Sequence, residues 1–297
     1  MRSLVTALVL LCLLAACSTG STPGGTPSPA SPTPTSPTAP PSTQGTTAPT
    51  SPSSGSDEQS DDVPAPGTVP PAWLGTRVLP EGATGLTTPP ALRQRRFTLP
   101  DSLPMLPGTG FRSKVVDPAP AEVIARSPWN RACPVRAEQL AWVRVTFWGF
   151  DDVGHTGELL VNSSVADEVV QVFGDLWKAH FPMEQMAITT VAERDAAPTG
   201  DGNDTGAFNC RPVTGGSSYS EHAYGLAIDL NPFQNPYEKG QVVLPELARS
   251  YLDRNDVRPG MITADGPVVR AFARIGWGWG GSWRTLKDYQ HFSANNR

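Results

Sequence analysis

The chain has 297 residues, a net charge of −5 and no run of Lys or Arg, which argues against nucleic-acid binding because phosphate neutralisation needs clustered cations. It carries 32 Pro and 28 Gly, and nearly half of the prolines fall before Trp73, so the folded part starts late. The roughly 180–220 residues that remain are ample for one buried core.

The first residues read as an export signal. Arg2 is a short positive region, and Leu4 to Leu14 is an apolar stretch too short to span a bilayer. Leu14-Ala15-Ala16-Cys17 then resembles a bacterial lipobox, which predicts a signal over residues 1–17, diacylation of Cys17 and an extracytoplasmic chain anchored to the cell membrane by lipid. An ordinary cleaved signal peptide is the alternative. With Cys12 in the signal and Cys17 lipidated, Cys133 and Cys210 remain. In an oxidising compartment they are expected to pair, with two free buried thiols as the alternative.

Residues 18–72 are a Ser/Thr/Pro/Gly tract with acidic residues at Asp57, Glu58, Asp61 and Asp62, too poor in apolar side chains to fold and expected to be a disordered linker. As a coil it would reach on the order of 40 Å. Residues 73–114 have apolar residues without a period and predict an irregular wrapping segment. Residues 115–297 are expected to form the functional domain.

In that domain Trp142 to Trp148 reads as a strand, Glu158 to Asn162 as a second, and Asp151-Asp152-Val153-Gly154 as the turn of a hairpin. Ser164 opens a helix whose buried face is Val165, Val169, Val172, Phe173 and Leu176, ended by Pro182. Met186 to Val191 is a further strand candidate, and Pro198 to Gly206 is a loop. Pro245 to Asp253 predicts a short helix. Asp265-Gly266-Pro267 opens another, with Val268, Val269, Phe272 and Ile275 inward and Gly276 as its stop. Without strict β-α-β alternation the class is α+β.

Two segments carry chemistry. In Ser220-Glu221-His222-Ala223-Tyr224-Gly225-Leu226-Ala227-Ile228-Asp229-Leu230, the residues Leu226, Ile228 and Leu230 alternate to one face, and Gly225, Ala227 and Asp229 to the other. The second face presents a carboxylate flanked by small residues, and His222 lies just before, where a loop can fold it back. The second segment runs from Gly276-Trp277-Gly278-Trp279-Gly280-Gly281-Ser282-Trp283 to Asp288-Tyr289-Gln290-His291-Phe292. A catalytic zinc site needs three protein ligands, an open position and a nearby carboxylate, and these segments hold all of those parts.

Ser-x-His-x-x-Gly-x-Ala-x-Asp, with Trp-Gly-Gly-x-Trp and Asp-x-x-His-Phe, resembles the zinc D-alanyl-D-alanine carboxypeptidase family, which includes VanY-like enzymes and L-alanyl-D-glutamate endopeptidases and shares its fold with hedgehog domains. Gly157-Glu158-Leu159, Phe181-Pro182, Phe208-Asn209-Cys210-Arg211 and Asn235-Pro236-Tyr237 are similar to its extended-core bacterial branch. The resemblance implies a hedgehog/DD-peptidase-like antiparallel sheet with flanking helices. It implies Zn2+ on His222, Asp229 and His291, Asp288 as general base where many members carry Glu, and Arg211 and Ser220 at the substrate. It also implies a peptidoglycan peptide as the partner, besides the membrane reached through the anchor, and a monomer is expected. His155 and His180 are expected to be structural or exposed. A non-catalytic wall-binding lipoprotein that keeps the fold and the zinc is the alternative.

Overall fold

The computed structural model describes residues 65–297, so the signal, Cys17 and the linker up to residue 64 lie outside the described residues. The predicted hairpin is the longest pairing. β1 (Ser113–Val116), β2 (Leu140–Trp148) and β3 (Gly154–Asn162) form an antiparallel sheet, in register from Leu140 opposite Asn162 to Trp148 opposite Gly154. β1 begins two residues before the expected domain boundary at 115. Both sheet faces are covered. Ala141, Val143, Val145 and Phe147 enter the main core, and Leu140 and Trp142 pack on the other side with α1 (Ala121–Arg126).

Asn162 caps a 3-10 turn at Ser163–Val165 that leads into α2 (Ala166–Lys178), whose Val169, Val172, Phe173 and Leu176 are buried in the main core. Asp167 and Glu168 in its first turn and Lys178 in its last complement the helix dipole. The helix ends at Lys178, before the expected stop at Pro182. His180 takes φ +50°, its N–H returns to the Trp177 carbonyl and that of Phe181 to Leu176, a left-handed closure that satisfies the last carbonyls.

The strand expected over Met186 to Val191 shrinks to β4 (Gln185–Met186), which pairs in parallel with β5 (Asp204–Thr205), within the segment read as loop. Thr190 and Glu193 close a capping box, which turns the following residues into α3 (Val191–Asp195). Further along lie β6 (Ala227–Asp229), β7 (Tyr237–Lys239) and β8 (Val242–Leu244). The helix expected over Pro245 to Asp253 is only a 3-10 turn at Arg249–Leu252. Its backbone groups are engaged elsewhere: the Leu86 N–H donates to the Glu246 carbonyl, Leu247 N–H donates to Gly200 and the Thr88 hydroxyl donates to the Leu247 carbonyl. α4 (Pro267–Arg274) forms as expected, with Val268 and Phe272 buried and Gly276 at φ +78° beyond it.

β9 (Gly278–Trp279), β10 (Lys287–Asp288) and β11 (His291–Ser293) complete two more antiparallel sheets, in the orders β6-β11-β9 and β10-β7-β8. The class is therefore mixed α+β, with the antiparallel strands divided among three small sheets instead of one. Among the described residues no helix is long and apolar enough to cross a membrane.

Residues 73–112 are irregular apart from a 3-10 turn at Pro90–Leu92, yet they complete a core of their own. Leu79, Leu92 and Phe97 bury against Phe233, Leu247 and Tyr251. Arg95 is buried beside them, paired with Glu184 at 2.6 Å and donating to the Asp201 carbonyl at 2.7 Å. The last residues of the expected linker join this segment, since the Arg96 N–H donates to the Gly67 carbonyl.

Cys133 and Cys210 are joined in a disulfide across 77 positions of chain. Closing so long a loop removes much conformational freedom from the unfolded chain. Replacing both by Ser is expected to lower stability by about 2–4 kcal/mol. A thermal melt reads this as a drop of roughly 5–15 °C.

Candidate metal centre

The site is built where the two chemistry-bearing segments become neighbouring strands. β6 and β11 pair so that Asp229 stands directly opposite His291. Residues opposite each other on an antiparallel pair have Cβ atoms about 5 Å apart, close enough for short polar side chains to meet. His222 arrives from a 3-10 turn, Glu221–Tyr224, whose start is capped by the Ser220 hydroxyl accepting from the His222 N–H. Gly225 ends that turn at φ +68°, and a Cβ there would lie 2.5 Å from the Asn162 backbone nitrogen. Only glycine lets the turn close against the end of β3.

The three side chains converge. His222 Nε2 lies 3.2 Å from His291 Nδ1 and 3.1 Å from Asp229 Oδ2, while His291 Nδ1 lies 3.0 Å from Asp229 Oδ1. Zinc–ligand bonds of about 2.0–2.1 Å arranged tetrahedrally put neighbouring ligand atoms about 3.3 Å apart, so the triangle is close to the right size. The outer nitrogens decide which atoms face inward. His222 Nδ1 is 2.6 Å from the Ala207 carbonyl and His291 Nε2 is 3.0 Å from the main-chain oxygen of Arg297. Main-chain oxygens of this kind only accept, so each outer nitrogen carries the hydrogen and donates it. In their neutral forms both imidazoles then turn a lone pair towards the Asp229 carboxylate. Three acceptors facing one point repel unless a proton or a cation stands between them. Among the described residues no other group of His, Cys, Asp and Glu converges in this way. The donor set of two imidazoles and one carboxylate suits zinc.

Without a cation, protons fill that role. Burial pulls His291 down, but the hydrogen bond and charge of Asp229 outweigh it and raise His291 to about 9. Burial would raise Asp229, yet the two histidines hold it well below the usual carboxylate range.

Residues 214–294 match the D-alanyl-D-alanine carboxypeptidase family. This bears out the resemblance carried by the two motifs, since the match runs through His222, Asp229, Asp288 and His291. Arg211 and the Cys133–Cys210 disulfide lie upstream of the segment matched to the carboxypeptidase family. No curated protein and no solved structure gives a match.

The other expected site residues line the same cleft, of about 1400 Å³. Asp288 sits on β10 opposite Tyr237, and its Oδ1 is buried without a hydrogen-bond partner among the described residues. Burial first, then the charge of Asp229, push Asp288 up to about 7, although His291 and Arg211 act the other way. Gly280 lets this strand approach: a Cβ there would meet the Asp288 Cβ at 2.8 Å. Arg211 lies in an extended segment, not a strand, with Pro212 bridged to Tyr219. Its only side-chain hydrogen bond among the described residues is to the Pro212 carbonyl, which leaves most of its donors for a ligand. Ser220 is buried, and its hydroxyl is occupied as the cap.

His155 and His180 lie apart from the centre. His155 is held between Asp101 and Asp151, and the His180 ring stacks on Trp148 at 4.5 Å. The main-chain oxygens of Ala207 and Arg297, which orient the two imidazoles, have no signal in the sequence because every residue carries one.

Proposed function

We propose that the chain is a zinc-dependent peptidase that cuts peptidoglycan stem peptides, held at the membrane by a lipid on Cys17. The observation that carries the metal assignment is the convergence of two imidazole lone pairs and a carboxylate at one cleft wall. The family match at residues 214–294 supports peptide hydrolysis, and the export signal supports a cell-wall substrate.

His222 Nε2, His291 Nδ1 and one oxygen of Asp229 would hold Zn2+, which supplies Lewis acidity towards a carbonyl oxygen and a water. The main-chain oxygens of Ala207 and Arg297 keep both imidazoles in the ligating tautomer. Asp288, whose Oδ1 has no partner among the described residues, lines the cleft and takes the proton of the attacking water, then passes it to the leaving amine. Arg211, with unused guanidinium donors, binds the peptide and offers charge to the oxygen that becomes negative. Ser220 acts on substrate only through the loop it shapes.

Purified protein is expected to trim muropeptides, as mass spectrometry of the products would show. A chelator should stop the reaction and added zinc should restore it. Hydrolysis that proceeds undiminished in metal-free protein would overturn the zinc assignment.

A further inference from the structure

One wall of the cleft carries more than the proposed base. In the sheet β10-β7-β8, Asp288 stands opposite Tyr237, and Tyr237 stands opposite Leu244. Residues opposite each other in an antiparallel sheet share a face, and so do residues two apart on one strand. Asp288, Tyr237, Leu244 and Lys239 therefore belong to one face, and all four line the cleft. Lys287, Glu238 and Val243, on the other face, do not. Strand register thus sets the Tyr237 side chain beside Asp288, with Cβ atoms about 5 Å apart.

Three tyrosines border the cleft, and they differ in what they already do. The Tyr219 hydroxyl donates to the Ala132 carbonyl at 2.5 Å. The Tyr224 ring packs against the core of Leu140, Leu160 and Phe208. Tyr237 is half-buried, and among the described residues its hydroxyl forms no hydrogen bond. Burial and then the charge of Asp288 hold its phenol above the ordinary value, so the O–H keeps its proton. The same influence places the phenol within electrostatic reach of the Asp288 carboxylate. A tyrosine is longer than an aspartate, so its hydroxyl reaches further from the sheet than that carboxylate does.

Water adding to an amide puts negative charge on the carbonyl oxygen. A donor already fixed in the cleft stabilises that charge without rearrangement. We infer that Tyr237 is a further catalytic residue, whose hydroxyl donates a hydrogen bond to the oxygen of the scissile carbonyl as it becomes negative. The role rests on the peptidase reading. Water adds to the carbonyl carbon, its proton passes to Asp288 and then to the leaving amine, and Tyr237 keeps its own proton throughout. Arg211 brings charge to the same oxygen, and Tyr237 brings a neutral, directional donor from a strand.

Tyr237→Phe tests the role, because it keeps the ring and removes only the hydroxyl. Its kcat on a muropeptide is expected to fall about 10²-fold, as for loss of one oxyanion donor, with KM little changed and zinc content stoichiometric. Calorimetry supplies a second reading. The probe is a muropeptide whose cut amide, identified by mass spectrometry of the products, is replaced by a phosphinate, which carries the tetrahedral, negative group permanently. Zinc-loaded Tyr237→Phe protein should bind it about 10²-fold more weakly than the unaltered protein does, while the product peptides bind equally. The acid limb of the kcat/KM profile should stay in place. An unchanged kcat or an unchanged affinity for the phosphinate would overturn the role. An equal loss of affinity for phosphinate and products would also overturn it, as the mark of a damaged cleft. So would a displaced acid limb, as the mark of an effect passed through Asp288. An unaltered protein that cuts no muropeptide would overturn the peptidase reading and this role together, whereas a fully active Tyr237→Phe protein would overturn the role alone.

Discussion

Asp288→Asn is expected to lower kcat on a muropeptide by about 10²–10⁴-fold, the usual contribution of a positioned general base. The substitution keeps the shape and removes the capacity to take a proton. Three observations support so large an effect. Asp288 lines the cleft that holds the His222, Asp229 and His291 triangle, its Oδ1 has no hydrogen-bond partner among the described residues, and the charges of both Asp229 and His291 act on it, which places it within electrostatic reach of the centre. Asp288 is not in the converging ligand group, so zinc content should stay stoichiometric. KM should change little, since the lost interaction belongs to the transition state. Asp288→Glu, the acid found in many members of the family it resembles, should retain measurable activity. An unchanged kcat in Asp288→Asn would remove Asp288 from the mechanism. Full peptide binding without hydrolysis in the unaltered protein would favour a wall-binding role instead.

His222→Ala is expected to weaken zinc affinity by more than about 100-fold and to abolish hydrolysis. Loss of even a residue that only orients a ligand typically costs 10–100-fold, and His222 is one of the three proposed ligands. It would also strand the Ala207 carbonyl, which now accepts from His222 Nδ1. His155→Ala is the control, because that ring lies between Asp101 and Asp151 and should leave zinc content unchanged. The metal-free protein adds a pH signature. His291 is raised to about 9 there, above the ordinary value of about 6.5. Its interaction with Asp229 therefore stabilises the metal-free fold fully below about pH 6.5 and is lost as the pH rises through about 9. Zinc must displace that proton. Binding should release protons at pH 7 and tighten as pH rises towards 9, which calorimetry in buffers of different ionisation enthalpy would detect. Metal binding to His222→Ala as tight as to the unaltered protein would overturn the ligand assignment.

Local pattern was enough for several elements. The β2–β3 hairpin was legible because β-branched and aromatic runs flank a turn, and α2 and α4 because their apolar positions repeat with helical period. It misled where local propensity met a stronger competitor. Met186 to Val191 has strand-like residues, but the Thr190–Glu193 capping box starts a helix inside them. Pro245 to Asp253 has helical composition, but its backbone groups are bound by Leu86, Thr88 and Gly200, all distant in sequence.

The candidate site divides in the same way. The sequence by itself determined which side chains are available: two histidines, two aspartates and an arginine, set among glycines that allow close approach. Residue type and short spacing are local properties, and a resemblance can carry them. Only the tertiary structure decided that His291 stands opposite Asp229, since strand register joins residues 62 positions apart. It alone supplied the Ala207 carbonyl and the main-chain oxygen of Arg297 that turn both lone pairs inward. Each depends on which distant backbone or side chain arrives beside a residue, and short-range pattern holds no record of that.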